Sequence, residues 1–261
     1  MRFRPRHLHE TADNSRGGKE SASSRLKGIV SAVVILGAIY LGLGLCADLA
    51  VNLVPPRTEA QWFAWAEDMV EPSLPAPDDL QQVFNQLIRD SELDDFPYRL
   101  AYLPSEDINA FALPGGLIVI TRGFYENVRT AEGRALVIGH EIGHVQHRHG
   151  LQRIGRSILL AGALSLCGAD TATVLKRSQF LADLQFSRSQ ESESDDFGLR
   201  LVHRTFGATR GSLEFFENLE SFQMEGTDIL QGRLGNFLRT HPQTSDRLKD
   251  LRALAEELDG A

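Results

Sequence analysis

The pattern of apolar and polar positions predicts a helix-rich chain with a small sheet. In residues 78–88, apolar side chains recur at helical spacing behind two aspartates, which is typical of an amphipathic helix. Further helices are predicted at about 131–149, 188–206, 213–224 and 245–258. Short apolar runs at 98–103 and 117–121 predict strands, with a proline and two glycines before the second run as turn material. The predicted fold class is therefore α+β.

The longest apolar run lies near the N-terminus. Residues 28–47 carry no charge and match the roughly 20 residues that a helix needs to cross a bilayer. Residues 1–27 hold seven basic and three acidic residues, a net charge of +4, and this bias places the N-terminus in the cytoplasm. A cleaved signal peptide is the alternative, although its apolar run is usually shorter. We therefore predict a basic cytoplasmic leader (1–27) and a single-pass anchor (28–47) in the inner membrane, with the rest of the chain in the periplasm.

We predict that residues 48–77 connect the anchor to a domain at 78–261. Trp62, Trp65 and Met69 follow one another at helical spacing, which suits either a juxtamembrane helix or a helix that packs on its own domain. The prolines between 72 and 77 indicate a linker. Residues 154–169 form a second apolar stretch whose uncharged part is too short to span a membrane, so we expect a buried or lid-like helix there.

The first chemical motif is an H-E-x-x-H pentad within the helix predicted at 131–149. His140 and His144 are four residues apart, so they lie on one helix face and can bind a single zinc ion. Glu141 is placed to reach a water molecule on that metal. The alternative is a pair of ordinary surface histidines. The chain has only two cysteines and no cysteine pair, so the ligands would be nitrogen and oxygen atoms.

A third ligand is expected from the helix at 188–206. Glu191 and Asp195 are also four residues apart, so both carboxylates share a face. We predict Glu191 as a metal ligand and Asp195 as the acceptor for the free N–H of a metal-bound histidine. Glu193 is the rival ligand, but it lies about 160° around the helix from Asp195. A solvated acidic helix start is the alternative.

Two further histidines follow the pentad. In a continuous helix His149 lies about 140° from His144 and points away from the metal, so it is expected to interact with the helix end or a neighbour. His147 lies close to the direction of His140 and is expected at most beside the cleft. Neither is predicted as a ligand.

Four motifs in order resemble one family of zinc endopeptidases. They are the pentad His140 to His144, then Ser187 and Arg188 with Glu191 and Asp195, then Thr240, His241 and Pro242 with Arg247, and upstream the run 108–116. Together they resemble the gluzincin family that contains the CAAX prenyl endopeptidases, HtpX and BepA. The resemblance covers about residues 100–251. The family usually has alanine where this chain has Ser194, a change that we expect an outward-facing position to tolerate.

The resemblance implies a helix-rich gluzincin metalloprotease domain with a small sheet, one zinc ion per chain and protein substrates. It places His241 either near the developing oxyanion or on the resting metal, and it leaves Arg247 to hold Asp195 or the substrate backbone. The predicted function is a membrane-anchored zinc endopeptidase in which Glu141 activates a water molecule at the metal. Misfolded or misassembled envelope proteins are the predicted substrates.

Two expectations concern partners. An extended polypeptide is predicted to pair with the strand at 117–121 as a sheet edge beside the metal helix. Residues 28–261 carry a net charge of −12, so no nucleic-acid partner is expected, while the membrane is expected through the anchor. The oligomeric state is left open. The alternative function is a membrane-tethered chaperone or assembly factor that binds unfolded chains with little or latent proteolysis.

Overall fold

The computed structural model describes residues 22–70, 73–90, 92–166, 186–225, 228–242 and 245–260. Helix α1 (Ala22–Val51) includes a segment, Ser23–Val51, that is long and apolar enough to cross a membrane, with a mean hydropathy of 2.5. The chain divides into two compact units, 1–43 and 44–261. The described part of the first unit is helical and its side chains are exposed, as a lipid-facing helix requires. Most of the predicted leader lies outside the described residues.

The second unit begins with the last turns of α1 and continues through alternating helices and short strands. In chain order these are α2 (Pro56–Trp62), a 3₁₀-helix (Ala64–Met69), α3 (Asp78–Leu87), β1 (Arg99–Leu103), β2 (Ala110–Leu113), β3 (Leu117–Thr121), α4 (Arg122–Asn127), α5 (Ala131–Gln146), α6 (His149–Leu166), α7 (Arg188–Phe206), α8 (Glu214–Glu225), α9 (Asp228–Thr240) and α10 (Ser245–Gly260). The predicted fold class, a helix-rich α+β domain with a small sheet and an apolar N-terminal helix, is confirmed.

Several elements differ from the prediction. Strand β2 and helices α4 and α9 were not expected, and the helix predicted at 131–149 is two helices, α5 and α6, separated at His147 and Arg148. Arg148 has a φ of 58°, in the left-handed region that non-glycine residues seldom adopt. The chain therefore changes direction two residues after α5 ends.

The sheet has the strand order β1–β3–β2, with β3 parallel to β1 and antiparallel to β2. The prediction that β3 forms a sheet edge is wrong, because both of its sides are paired. Its five residues are all buried, as its unbroken apolar run requires of a strand covered on both faces. In the described part of the chain β2 pairs on one side only and therefore has an open edge.

Helix α5 lies at the centre of the second unit. Every residue from Gly133 to Val145 is buried, and a helix that is enclosed on all sides must be apolar or internally paired all round. The main core includes large side chains from α3, the sheet, α5, α7 and α9, among them Leu80, Ile118, Ile138, Leu199 and Phe237. The histidines and glutamates of α5 therefore sit inside the protein and need partners there.

Helix α6 packs on the last turns of α1. Val51 of α1 shares a second apolar cluster with Leu151 and Ile154 of α6. Further along, Arg156 forms an ion pair with Asp48, and its Nε lies 3.0 Å from Oδ1 of Asp48. The expected helix is present up to Leu166, but Ile158 is 53% exposed, so α6 is not buried along its whole length. The remainder of the predicted apolar stretch, 167–169, lies outside the described residues.

Candidate metal centre

Helices α5 and α7 cross with their backbones in direct contact. A Cβ atom added to Gly198 of α7 would lie 2.7 Å from the backbone nitrogen of His140 in α5. A Cβ atom added to Gly143 would lie 3.1 Å from Cα of Ser194. Glycine permits this approach because it has no side chain to hold the helices apart. The crossing brings the turn that bears His140 and His144 beside the turn that bears Glu191.

Both helices begin at well-formed caps. The side chain of Thr130 accepts a hydrogen bond from the backbone of Gly133 at the start of α5, and Glu214 of α8 accepts hydrogen bonds from the backbone and hydroxyl of Thr130. Ser187 and Gln190 form a capping box at the start of α7. Glu191 therefore lies in the first turn of a helix with a fixed beginning.

Four donor side chains converge between these helices and the end of α9: His140, His144, Glu191 and His241, none more than 2% exposed. Nε2 of His140 lies 3.0 Å from Nε2 of His144 and 3.3 Å from Nδ1 of His241. Oε1 of Glu191 lies 3.4 Å from Nε2 of His144 and 3.1 Å from Nδ1 of His241. The structure thus brings the three predicted ligands together and adds His241 to them.

The spacing of these donors fits a metal ion. Ligands about 2.0–2.1 Å from the centre of a tetrahedron are separated from one another by about 3.3 Å. The measured separations of 3.0–3.4 Å match that value, and three imidazoles with one carboxylate form a donor set that zinc accepts. Both carboxylate oxygens of Glu141 and Nε2 of His241 are buried without a well-formed hydrogen bond in the described part of the chain. Such atoms indicate room for a further group.

Asp195 and Arg247 lie behind the donors. Oδ1 of Asp195 lies 2.8 Å from Nδ1 of His140, on the opposite side of the ring from the donor atom. Arg247 donates from Nε and Nη2 to the two oxygens of Asp195, each at 2.7 Å, and its Nη1 lies 2.6 Å from Oε2 of Glu191. The sequence analysis left open whether Arg247 holds Asp195 or the substrate backbone; in the structure Arg247 contacts Asp195 and Glu191 of α7.

The charges of the donor set follow from burial and from their neighbours. Burial works to raise the pKa of Glu191, but His241 and His144 outweigh it and hold that pKa far below its usual range, so Glu191 is a carboxylate. Burial lowers the pKa of His144 well below its usual value and keeps the ring neutral. Burial also works to lower the pKa of His140, but its hydrogen bond to Asp195 prevails and raises it. The centre therefore offers an anionic donor in Glu191 and a neutral donor in His144.

Glu141 faces the same space without being one of the donors. Its side chain is fully buried, and Oε1 lies 3.4 Å from Nε2 of His241. Burial raises the pKa of Glu141 above that of an ordinary glutamate, although His241 opposes the shift. A carboxylate with a raised pKa is suited to taking and returning a proton near neutral pH.

The expectation that His149 points away from the metal helix is wrong, although His149 does contact neighbouring side chains and is not one of the four donors. Because the chain turns at Arg148, His149 is buried and its Nδ1 lies 2.9 Å from Nδ1 of His144. Its Nε2 lies 3.2 Å from Oε2 of Glu193, so the rival ligand Glu193 contacts His149 instead of the donors. Burial lowers the pKa of His149 to about 4. His147 contacts the backbone oxygen of Gly143 through its Nδ1, at 2.9 Å, and stacks on His149.

Three other features of the site differ from the sequence analysis or were missed by it. Ser194, expected to face outward, is fully buried, and its Oγ lies 3.5 Å from Nδ1 of His149. Phe186 stacks on the ring of His144 with centroids 3.8 Å apart, and Phe237 of α9 stacks on His241 at 4.9 Å. Aromatic residues carry no motif, so no pattern in the sequence distinguishes these two from ordinary core residues.

A family profile described as peptidase family M48 matches residues 76–255. Curated relatives include metalloprotease YcaL of Escherichia coli, 31% identical over 57% of this chain and 58% of that protein. Mitochondrial metalloendopeptidase OMA1 of Bos taurus is 27% identical over 76% of this chain and 41% of its own length. A putative beta-barrel assembly-enhancing protease of Vibrio cholerae is 25% identical over 62% of this chain and 35% of that protein. The chain thus spans less than two thirds of each of these relatives.

Proposed function

The chain belongs to peptidase family M48, and from this premise we propose that it is a zinc-dependent endopeptidase that hydrolyses peptide bonds in protein substrates. The observation that carries the proposal is the buried donor set of His140, His144 and Glu191 with Glu141 beside it. A binding module needs no general base next to a metal. The relatives named as metalloproteases support the same activity.

The proposed zinc ion is held by Nε2 of His140, Nε2 of His144 and Oε1 of Glu191. Zinc bound there would act as a Lewis acid on the scissile carbonyl and would lower the pKa of a water molecule to about 7. Asp195 orients the ring of His140 by accepting its Nδ1–H, and Arg247 fixes Asp195 by donating to both of its carboxylate oxygens. The protein thereby keeps the donor nitrogen aimed at the metal while the carboxylates stay charged.

Glu141 carries the proton in the proposed reaction. It takes a proton from the attacking water, the oxygen forms a bond to the carbonyl carbon, and the C–N bond breaks. Glu141 then returns the proton to the leaving amine, so its charge is the same before and after the reaction. The raised pKa of Glu141 and its complete burial support this role, because solvent cannot compete for the proton.

The position of His241 supports a latent resting state, in which the metal position is closed to water. Its Nδ1 lies 3.1–3.3 Å from the neighbouring donors, so in this arrangement four protein donors surround the metal position. Structural zinc sites are closed in this way, whereas catalytic sites keep one position open. We infer that His241 must move away before a water molecule can enter. The runner-up function, a membrane-tethered chaperone with little proteolysis, corresponds to a site that stays closed.

The substrate strand is proposed to pair with β2. Thr121 N–H donates to the carbonyl oxygen of Asn109, the residue before β2. In an antiparallel pair the residues that hydrogen-bond to the partner alternate along the strand, so the N–H and C=O groups of Phe111 and Leu113 point toward β3. Ala110 and Ala112 then turn their N–H and C=O groups toward the open edge. Since β2 precedes α5 and contacts it, an added strand would run past Glu141. Main-chain pairing of this kind tolerates many sequences, as a protease with unfolded substrates requires.

The site is proposed to work close to a membrane, on the periplasmic side of an inner membrane with the N-terminus in the cytoplasm. The apolar helix α1 and the basic leader support the anchor and its orientation. We propose misfolded or misassembled envelope proteins as substrates; the Vibrio cholerae relative is named for beta-barrel assembly.

A four-variant assay on the full chain in detergent, supplied with zinc, tests this proposal. Wild type, Glu141→Gln, His241→Ala and the double variant are each incubated with unfolded casein, and their zinc content is measured. We expect His241→Ala to hydrolyse casein faster than wild type, and the double variant to lose at least about 100-fold of that rate. Equal hydrolysis by His241→Ala and the double variant would show that Glu141 is not the base. Zinc-loaded protein that cuts nothing in any form would favour the chaperone.

A further inference from the structure

The turn between α5 and α6 gives His149 a position that no helical periodicity predicts. Arg148 holds the left-handed conformation there, and its Nη1 lies 2.6 Å from Oε2 of Glu59 and 3.0 Å from the carbonyl oxygen of Val54. Arg148 and Glu59 are both buried. This fixed junction folds the start of α6 back toward the metal helix. His149 therefore meets His144 from the side opposite the donors.

The contacts of His149 form a line of three side chains. Nε2 of His144 is the atom directed at Glu191, at 3.4 Å, so Nδ1 is the nitrogen that remains for another partner. That partner is Nδ1 of His149 at 2.9 Å. Nε2 of His149 in turn lies 3.2 Å from Oε2 of Glu193. His149 is 1% exposed, whereas the side chain of Glu193 is 57% exposed, so the line runs from the buried centre to the surface.

One assignment of protons satisfies all three groups. A metal on Nε2 of His144 requires the hydrogen of that ring on Nδ1. Nδ1 of His144 then donates to Nδ1 of His149, which must be the unprotonated nitrogen of its ring. His149 consequently carries its hydrogen on Nε2 and donates it to the carboxylate of Glu193. Each ring has one donor and one acceptor, and neither is left unsatisfied.

Building on the proposed zinc site, we propose that His149 is a positioning residue for the metal ligand His144, with Glu193 selecting the tautomer of His149. Partners of this kind set the ring orientation of a metal-bound histidine, and their loss typically weakens metal binding 10- to 100-fold. The two histidines of the pentad are thus held differently. His140 is held by the carboxylate of Asp195, and His144 by a neutral ring. Ser194, 3.5 Å from Nδ1 of His149, closes the side of the ring toward α7.

A pair of nearly isosteric variants of the full chain, His149→Asn and His149→Leu, tests the proposal. Both replacements remove the same part of the ring, but only asparagine can accept a hydrogen bond at the position of Nδ1. The readouts are the zinc dissociation constant by chelator competition, the absorption spectrum of the cobalt-substituted protein and the melting temperature of the metal-free protein. His203→Ala, in a half-buried position about 18 Å along α7 from Glu191, is the control.

We expect His149→Leu to bind zinc 10- to 100-fold more weakly than His149→Asn and to shift the cobalt spectrum, at similar melting temperatures of the metal-free proteins. Equal zinc affinity and spectra in the two variants would overturn the proposal, provided that wild type binds zinc. Absence of zinc binding in wild type would instead overturn the proposed function. Histidine-labelled wild type gives a second test by nitrogen NMR: hydrogen on Nδ1 of His144 and on Nε2 of His149 is expected, and the opposite tautomers would contradict the proposal without any substitution.

Discussion

Oδ1 of Asp195 lies 2.8 Å from Nδ1 of His140, and the same carboxylate receives two hydrogen bonds from Arg247. The three groups are each at most 7% exposed. Burying a carboxylate is unfavourable unless it has a charged partner, and here one guanidinium contacts both Asp195 and Glu191. The orientation of the first histidine therefore depends on a residue more than 100 positions later in the chain.

Arg247→Gln is expected to lower the free energy of unfolding by about 3–5 kcal/mol, because it leaves two buried carboxylates without their cation. Arg247→Lys is expected to recover only part of the loss, since an ammonium cannot form the same pair of parallel hydrogen bonds. Denaturant unfolding of the full chain measures both. Arg252→Gln on the same helix, which removes exposed ion pairs, should cost no more than about 1 kcal/mol. A similar small cost for Arg247→Gln would contradict the proposed role.

Glu191→Gln is expected to abolish stoichiometric zinc binding, because it removes the anionic donor between the histidines. Glu193→Gln should keep about one zinc per chain, since its side-chain oxygen can still accept from His149 and it lies outside the donor set. Metal analysis of the two purified proteins separates the candidates. Full occupancy in Glu191→Gln with loss in Glu193→Gln would move the third ligand to Glu193.

Gly198→Ala is expected to destabilise the protein by about 1–3 kcal/mol, because its Cβ would press on the backbone of α5 at 2.7 Å. The two helices would have to separate, so zinc affinity should fall as well. Gly235→Ala in α9 is the matched control: its Cβ would meet nothing within 4 Å, and alanine favours a helix by about 1 kcal/mol. Thermal unfolding of both variants checks the helix crossing. The melting temperature should fall in Gly198→Ala and rise in Gly235→Ala.

Glu214→Gln is expected to destabilise the protein near neutral pH but progressively less in acid. Burial works to raise the pKa of Glu214, but hydrogen bonds from Thr130 and Arg129 outweigh it and lower the pKa below 4.5. A carboxylate with a lowered pKa in the folded state stabilises above its unfolded pKa, and this contribution is lost as the pH falls through the folded value. Unfolding curves between pH 3 and 7 measure the difference from wild type. Glu217→Gln, exposed on the same helix, is the matched control.

Hydrolysis of N-methylated peptides is expected to show a two-residue periodicity. If the substrate pairs with the open edge of β2, every second substrate amide donates to the strand, and methylation there should raise KM. Methylation of the intervening amides should have a much smaller effect. A cleavable peptide, methylated at one position at a time, gives the comparison. A uniform effect along the peptide would argue against strand pairing.

Much of the fold follows from short-range patterns in the chain. The helix at 188–206 was predicted at its observed bounds because it carries a cap at Ser187, a carboxylate in its first turn and a terminal glycine. His140, His144, Glu191 and Asp195 were proposed from four-residue spacing, which a helix turns into spatial proximity. The structure brings these four together, and their individual roles stay predictions.

The errors arise where distant contacts decide the local conformation. Arg148 adopts a left-handed conformation that glycine would signal in a sequence, but here the buried Glu59, 89 residues earlier, holds it. The position of His149 depends on that contact. Strand β3 is central in the sheet because β2 pairs with its second side. Strand β2 has only four residues, which are too few for its pattern to be recognised in the sequence. Helix α9 contains Gly232 and Gly235, which lower helix propensity, and it is kept by the packing of Leu234 and Phe237.

The close contact of α5 and α7 at Gly198 restricts where residues can be inserted into the chain or deleted from it. One residue inserted between Glu191 and Gly198 would rotate the glutamate by about 100° and shift it by about 1.5 Å along the helix, away from the histidines. The same holds for an insertion between Gly139 and His144 in α5. An insertion or deletion would change the register of every later residue of the helix against its partner, so we expect this chain to tolerate changes of length only outside the two crossed segments.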